Sequence, residues 1–430
     1  MEVRTRQQTI RPGYKQTEVG VIPEDWEIKT LGGLTTLLTN GFVGRATDFY
    51  VESDDGVLYV QGYNVQENGF NLHGICRVSK QFHATHQKSC LETGDLLTIQ
   101  TGDIGVTTIV SPALAGANCH ALVISRLRKE QSEPAFYCHY FNSDRGKIAF
   151  REIETGSTMK HLNVGDMVDL PLPCPSVPEQ RAIAAALSDV DVLIASLDKL
   201  IVKKSDLKQA AMQQILTGKQ RLPGFKEEWK VKTLPEVCWF QEGPGVRNYQ
   251  FTSSGVKLLN GTNIENGKLN LDSTNRYVSN HEAYGMYSHF LADDGDIVIA
   301  SSGITIDKFH EKVAFVNSTH LPLCMNTSTI RFKIRSKYLT RDFLFHFLKS
   351  KSFKEQIGGQ ATGSAQLNFG PSHVRKVLIK LPAFEEQSAI ATVLSDMDAE
   401  INALEQRRGK TTALKQGMMQ ELLTGKTRLI

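Results

Sequence analysis

From Ile183 the apolar residues step forward by 4, 3, 4, 3 and 4, through Leu187, Val190, Ile194 and Leu197 to Ile201. The same steps return at Ile390, Leu394, Met397, Ile401 and Leu404, after which Arg408 takes the next position. A 3.5-residue period is the seam of a coiled coil, narrower than the stripe of an ordinary surface helix. Both stretches lack proline, and their only interior glycines are Gly409 and Gly417. Each follows a proline-rich run with Glu-Gln just ahead of the predicted helix, and each ends at a Thr-Gly-Lys whose Gly218 or Gly425 suits a helix C-cap. A continuous helix from Gln180 to Thr217 spans about 57 Å at ~1.5 Å per residue.

The two stretches are copies. Gln180–Leu222 aligns without a gap on Gln387–Leu429, with 22 of 43 positions identical. Around them the chain repeats more faintly: Trp26–Leu31 with Trp229–Leu234, Val57–Val65 with Val256–Ile264, Gly94–Ile99 with Gly295–Ala300, and Thr155–Ser157 with Thr362–Ser364. The expected organisation is an N-terminal domain over 1–175, a first helix over 176–219, a second domain over 220–384 and a second helix over 385–430. If a pseudo-two-fold axis relates the halves, as in a fused homodimer, the helices pair antiparallel with the domains inverted at opposite ends. The alternative is that each helix packs only on its own domain.

Elsewhere the apolar pattern is that of short β-branched strands, at Val57–Val60, Asp95–Gln100, Thr107–Val110, Ala121–Leu127, Asp296–Ser301, Val313–Val316 and Thr329–Ile334. Helices are predicted at Pro134–Asn142 and Thr340–Ser350. The fold class is therefore α/β (α+β): two mixed α/β domains joined by two long antiparallel coiled-coil helices in a tandem repeat. Polar, glycine-containing loops separate the strands, where recognition chemistry usually sits.

Composition adds limits. A net charge of +3 permits nucleic-acid binding without arguing for it. Seven cysteines without a Cys-x-x-Cys pair suit a reduced, cytoplasmic protein. No apolar run approaches the ~20 residues of a membrane span. Motifs for catalysis are missing: the Gly-Lys-Thr at Gly425 has Gln420 where a phosphate-binding loop needs glycine, and Gly243–Gly245 reads as a turn. His83 and His86 lack a partner to complete a metal set, and Cys119-His120 and Cys138-His139 read as core positions, so no metal site and no catalytic residue is assigned.

The order of domain, Thr-Gly-Ser segment, Pro-x-x-Glu-Gln, Leu-Ser-Asp-x-Asp helix and Leu-Thr-Gly-Lys end, given twice, resembles the DNA-specificity subunit of type I restriction-modification systems. The resemblance covers the chain from about Gly13. It implies two target-recognition domains reading a bipartite, asymmetric DNA target, with two modification (methyltransferase) subunits docked on the helices and one or two restriction subunits joining them. S-adenosylmethionine, ATP and Mg2+ would then belong to those partners, with no cofactor in this chain and no membrane association. Other readings are a non-catalytic coiled-coil scaffold joining two ligand-binding domains without DNA, and a methyltransferase with an unrecognised cofactor site.

Under that resemblance Asn40, Gln61, Tyr63 and Asn64, with Arg247, Asn248, Asn260, Thr262 and Asn263, have the chemistry for base edges, or are solvated turn formers. Thr155, Gly156, Ser157, Thr158, Lys160 and His161, with Thr362, Gly363, Ser364 and Gln366, form either a DNA-backbone clamp or a structural turn; the second copy lacks the Lys-His pair. Tyr63 and Phe42 are open to base stacking or core packing. Asp189, Asp191, Asp198, Lys199, Lys203 and Lys204 mark a helix face for protein contact, or a solvated one.

Overall fold

A computed structural model describes residues 10–358 and 366–429. Residue contacts divide the chain into two compact units: one runs to Asp198 and resumes at Gln406, the other is Lys199–Glu405. Each unit thus holds one domain, half of the long helix that leaves it and half of the other long helix.

In the N-terminal unit an antiparallel sheet is ordered Thr107–Ile109, Leu96–Ile99, Leu122–Leu127, Thr35–Asn40. The C-terminal unit repeats it as Val313–Phe315, Ile297–Ala300, Thr329–Ile334, Cys238–Glu242. Leu96–Ile99 and Ile297–Ala300 are buried along their whole length, because neighbouring strands and covering elements leave neither face to water, and so they read as apolar runs, broken in the first only by Thr98, whose hydroxyl pairs with that of Thr107 at 2.9 Å. A second sheet sits beside each: Asn118–Cys119, Val57–Val60 and Cys76–Val78 in the first unit, and Phe251–Thr252, Tyr277–Val278, Val256–Leu259 and Leu323–Met325 in the other. The predicted strands are present within a residue or two of their expected ends, and the predicted short helices are Pro134–Asn142 and Arg341–Lys349.

The long helices are Val177–Ile215 and Phe384–Leu422, 39 residues each. Each begins three residues ahead of its repeat, so Glu179-Gln180 and Glu386-Gln387, expected just ahead of the helix, lie inside the first turn. Pro178 fits there because a first-turn N–H has no intrahelical acceptor to lose. Gly218 and Gly425 follow the helix ends with φ of +71° and +67°, the left-handed turn that glycine adopts without strain.

Within each unit the helix halves run antiparallel. Asp191 meets Lys415 and Asp198 meets Arg408 in the N-terminal unit; Lys204 meets Glu400 and Lys208 meets Asp398 in the other. Of the expected seam, Ile183, Leu187, Leu197, Ile390 and Leu394 are buried, and Val190, Ile194, Ile201, Met397, Ile401 and Leu404 are half-buried. The gradient has a cause: Ile183 and Leu187 join a core with Trp26, Phe136, Tyr137, Leu422 and Leu423, and Ile390 and Leu394 one with Phe343, Phe347, Met212 and Ile215. Farther along, each helix has only its neighbour to cover it. Arg408, out of place in an apolar seam, pairs with Asp198 at 3.0 Å.

Candidate nucleic-acid interface and its helical clamp

The repeated motifs hold each domain to the helices by one set of contacts made twice. Trp26 donates its indole N–H to Glu179 Oε2 at 3.0 Å. Arg428 closes on that carboxylate, Nε to Oε1 at 2.5 Å and Nη2 to Oε2 at 2.8 Å, and also reaches both oxygens of Asp25. In the C-terminal unit Trp229 donates to Glu386 at 3.1 Å, and Arg221 grips both Glu386 oxygens at 2.6 Å. Glu179 and Glu386 are almost fully buried, so each guanidinium supplies the countercharge that a desolvated carboxylate requires. The hydrogen bond that Arg428 donates to Glu179, then that to Asp25, holds its pKa above the ordinary value. In both cases the arginine that ends one repeat closes on the glutamate that begins the other.

The neighbouring glutamine fixes the short helix. Gln180 accepts from Glu133 N–H at 2.8 Å and donates to the carbonyls of Pro175 and Gln131; Gln387 accepts from Thr340 N–H at 2.9 Å and donates to those of Pro382 and Tyr338. Glu133 and Thr340 are the N-cap residues of the short helices, whose first N–H groups lack intrahelical acceptors. About two turns on, His139 Nε2 lies 3.3 Å from Ser188 Oγ, and His346 Nε2 3.1 Å from Ser395 Oγ. Burial pushes the His139 pKa down to about 4 and that of His346 to about 3. The 3.9 Å approach of His139 to Asp191 is therefore no ion pair at neutral pH; Asp191 takes its charge partner from Lys415 at 2.5 Å. Three members of the helix face expected to be free for protein contact, Asp191, Asp198 and Lys204, pair across the helices, while Asp189, Lys199 and Lys203 are exposed.

On this frame the loops place the candidate DNA contacts unevenly. Arg247 and Asn248 are exposed beside Tyr249, itself 86% exposed. Thr262 is exposed, and Asn260 is half-buried and accepts from Asn326. Tyr63 is exposed, its hydroxyl on the Gly74 carbonyl, and Gln61 donates to Tyr50. Asn64 and Asn263, expected at base edges or as solvated turn formers, are buried: each carboxamide oxygen caps the N–H three residues back (Gln61, Asn260) and each amide holds the returning strand. Their side chains have no face left for a base. Asn40 is half-buried at the end of its strand, with Oδ1 unbonded.

Thr155–Lys160 is an exposed loop closed by two backbone hydrogen bonds between Thr155 and His161. Gly156 has φ of +100°, and a Cβ there would stand 2.3 Å from the Met159 carbonyl, so glycine is required. Lys160 pairs with Glu154. In the second copy Gln366 is exposed, while Thr362, Gly363 and Ser364 lie outside the described residues. Phe42 packs edge-on against Phe82 and His86, and His83 bonds Asn118, which gives these histidines structural partners. Among the described residues no group of three His, Cys, Asp or Glu is placed to hold a metal, and no helix is long and apolar enough to cross a membrane.

Twofold framework contacts with unlike loops define a class: a duplicated recognition chain whose domains are carried on paired helices. Residues 23–203 and 226–415 match the family described as Type I restriction modification DNA specificity domain, and the chain belongs to that family. It is 24% identical over 425 residues to the MjaVIII type I restriction enzyme specificity subunit of Methanocaldococcus jannaschii, covering 95% of this chain and 94% of that one. It is 20% identical over 421 residues to the EcoBI specificity subunit of Escherichia coli, 90% and 82% covered. Its fold is similar to a type I R-M system chain (TM-score 0.59, 17% identity, covering 94% of this chain and 99% of that one) and to the M. genitalium S subunit (0.54, 15%, 92% and 96%). Specificity subunits are the non-catalytic, DNA-recognising components of restriction-modification complexes.

The clamp residues were missed on sequence alone, although the signal was there. Trp26/Trp229, Glu179/Glu386, Lys208/Lys415 and Arg221/Arg428 are identical between the halves. The arginines and lysines reach acids of the other copy, and spacing along one copy does not reveal that.

Proposed function

We propose that this chain reads a bipartite, asymmetric DNA target, one half-site per domain, and docks two methyltransferase subunits and the restriction subunits on its helices. The observation that carries the reading is the contrast between a clamp repeated in both units and unlike loops: Gln61 and Tyr63 stand where the second domain has Asn260 and Thr262. A constant frame suits two copies of one partner, and differing loops suit two different half-sites. Arg247 and Asn248 supply base or phosphate contacts from an exposed loop, and Gly156 lets main-chain amides of its loop approach a phosphate. S-adenosylmethionine, ATP and Mg2+ belong to the partner subunits, and the assembly works in the cytoplasm.

The helices act as the ruler between half-sites. One inserted heptad adds about 10 Å of helix, about three base pairs at ~3.4 Å each. Gel-shift titration of the complex with its methyltransferase partner tests the reading. Salt-dependent, sequence-selective binding is expected; its absence supports a scaffold without DNA. A heptad inserted into both helices is expected to widen the gap between methylated half-sites, and an unchanged gap refutes the ruler.

A further inference from the structure

The two units differ at one buried place where their frameworks otherwise agree. In the N-terminal unit the last residue of the short helix, Asn142, donates to Asn68 Oδ1 at 3.1 Å and to the Thr107 carbonyl at 2.8 Å. Asn68, at the tip of the Val65–Phe70 hairpin, passes the chain on to Asp191 Oδ2 at 3.4 Å. Polar side chains fill the space between hairpin, short helix and long helix, and one cation, Lys415, faces one carboxylate, Asp191.

In the C-terminal unit the same positions hold Lys349 and Gly267. Gly267 keeps the turn, with φ of +73° and its N–H on the Glu311 carbonyl as that of Asn68 is on Thr107, but it supplies no side chain. A cavity of about 520 Å³ lies here, lined among others by Lys349, Gly267, Asn266, Asn402, Lys208 and Asp398. Lys349 Nζ sits 3.3 Å from where a Cβ on Gly267 would stand, in the space that Asn68 fills in the other unit.

The pairing is no longer complete. Asp398 is taken by Lys208. Among the described residues Lys349 makes no ion pair and no hydrogen bond; its ammonium lies 4.8 Å from the Phe345 ring centroid. Burial, then the Lys208 charge, pushes the Lys349 amine down to about 8, which leaves it mostly protonated at neutral pH. A half-buried ammonium without a paired counterion is costly; of the other acids that line the cavity Asp307 and Glu405 are solvent-exposed, Glu311 is half-buried, and none forms an ion pair with Lys349.

We propose that this cavity binds a small phosphate-bearing molecule, its oxyanion seated on Lys349 between the Asn266–Gly267 turn and the long helices. The volume suits a metabolite-sized ligand. The site belongs to the C-terminal unit alone, because Asn68 and Asn142 occupy the equivalent space in the first.

Calorimetric titration of the full chain with inorganic phosphate, against chloride at matched ionic strength and without DNA, tests this independently of target recognition. Wild type is expected to show saturable binding. Lys349→Met removes the ammonium, and Gly267→Asn refills the space with a residue that tolerates positive φ; each should weaken phosphate by roughly ten- to hundredfold, the weight of one hydrogen bond to a charged group. Asn68→Gly in the other unit should leave binding unchanged. No saturable phosphate binding, or wild-type affinity in both variants, overturns the proposal.

Discussion

Arg428→Met should destabilise the N-terminal unit through a charge left without a partner. Glu179 is 2% exposed, and its oxygens are met by Arg428 and by the single N–H of Trp26. Removing the guanidinium leaves a buried carboxylate with one neutral donor. Orphaning one partner of a buried ion pair costs about 3–5 kcal/mol. Arg428 is itself about a third exposed, so water partly reaches the site and about 3 kcal/mol is the expected loss. The exposed Asp25 arm contributes less than ~1 kcal/mol of this. The chain has three tryptophans, and replacing Trp229 and Trp239 with Phe leaves Trp26 to report urea unfolding of this unit alone. In that background Arg428→Met should lower the midpoint, and adding Glu179→Gln should restore part of the loss, because no charge is then buried. A double variant no more stable than Arg428→Met alone would refute the reasoning and reduce the clamp to packing.

Stability should also fall with acid before most carboxylates titrate. Burial holds the folded His139 pKa at about 4, below the ordinary 6.5, so the unfolded chain takes up the proton first. The contribution is complete above about pH 6.5 and is lost as pH falls toward 4, by up to roughly 3 kcal/mol; His139→Gln should flatten urea midpoints read through Trp26 in that window, and an unchanged slope there would refute it. Asn263→Ala should cost about 1–3 kcal/mol through its lost turn bonds, whereas Arg247→Ala should leave unfolding midpoints alone and weaken DNA binding in gel shifts; the reverse pattern would reassign both residues.

Local chemistry was legible in the sequence. Val57–Val60 and Thr329–Ile334 match their strands residue for residue because β-branched runs between turn formers have few other solutions. The 4-3 spacing pointed to both long helices, and a pseudo-two-fold relation of the two copies to the antiparallel pairing seen within each unit. Burial of polar residues was not legible: Asn64 read as a base contact or a solvated turn former, yet its side chain is buried in the hydrogen bonds of a short turn. Nor was the clamp, since Arg428 and Glu179 lie 249 residues apart and meet only once the helices run antiparallel. Asp191 and Lys204 read as surface charges for the same reason.

The central claim is that two domains on one frame read two different half-sites. Methylation mapping across the genome of cells expressing this chain with its modification subunit tests it directly. The account predicts one bipartite motif whose two specified halves differ in sequence and flank an unspecified gap, with substitutions in the loop of Arg247 and Asn248 altering one half only. A continuous motif, or loop substitutions that change both halves together, would contradict it.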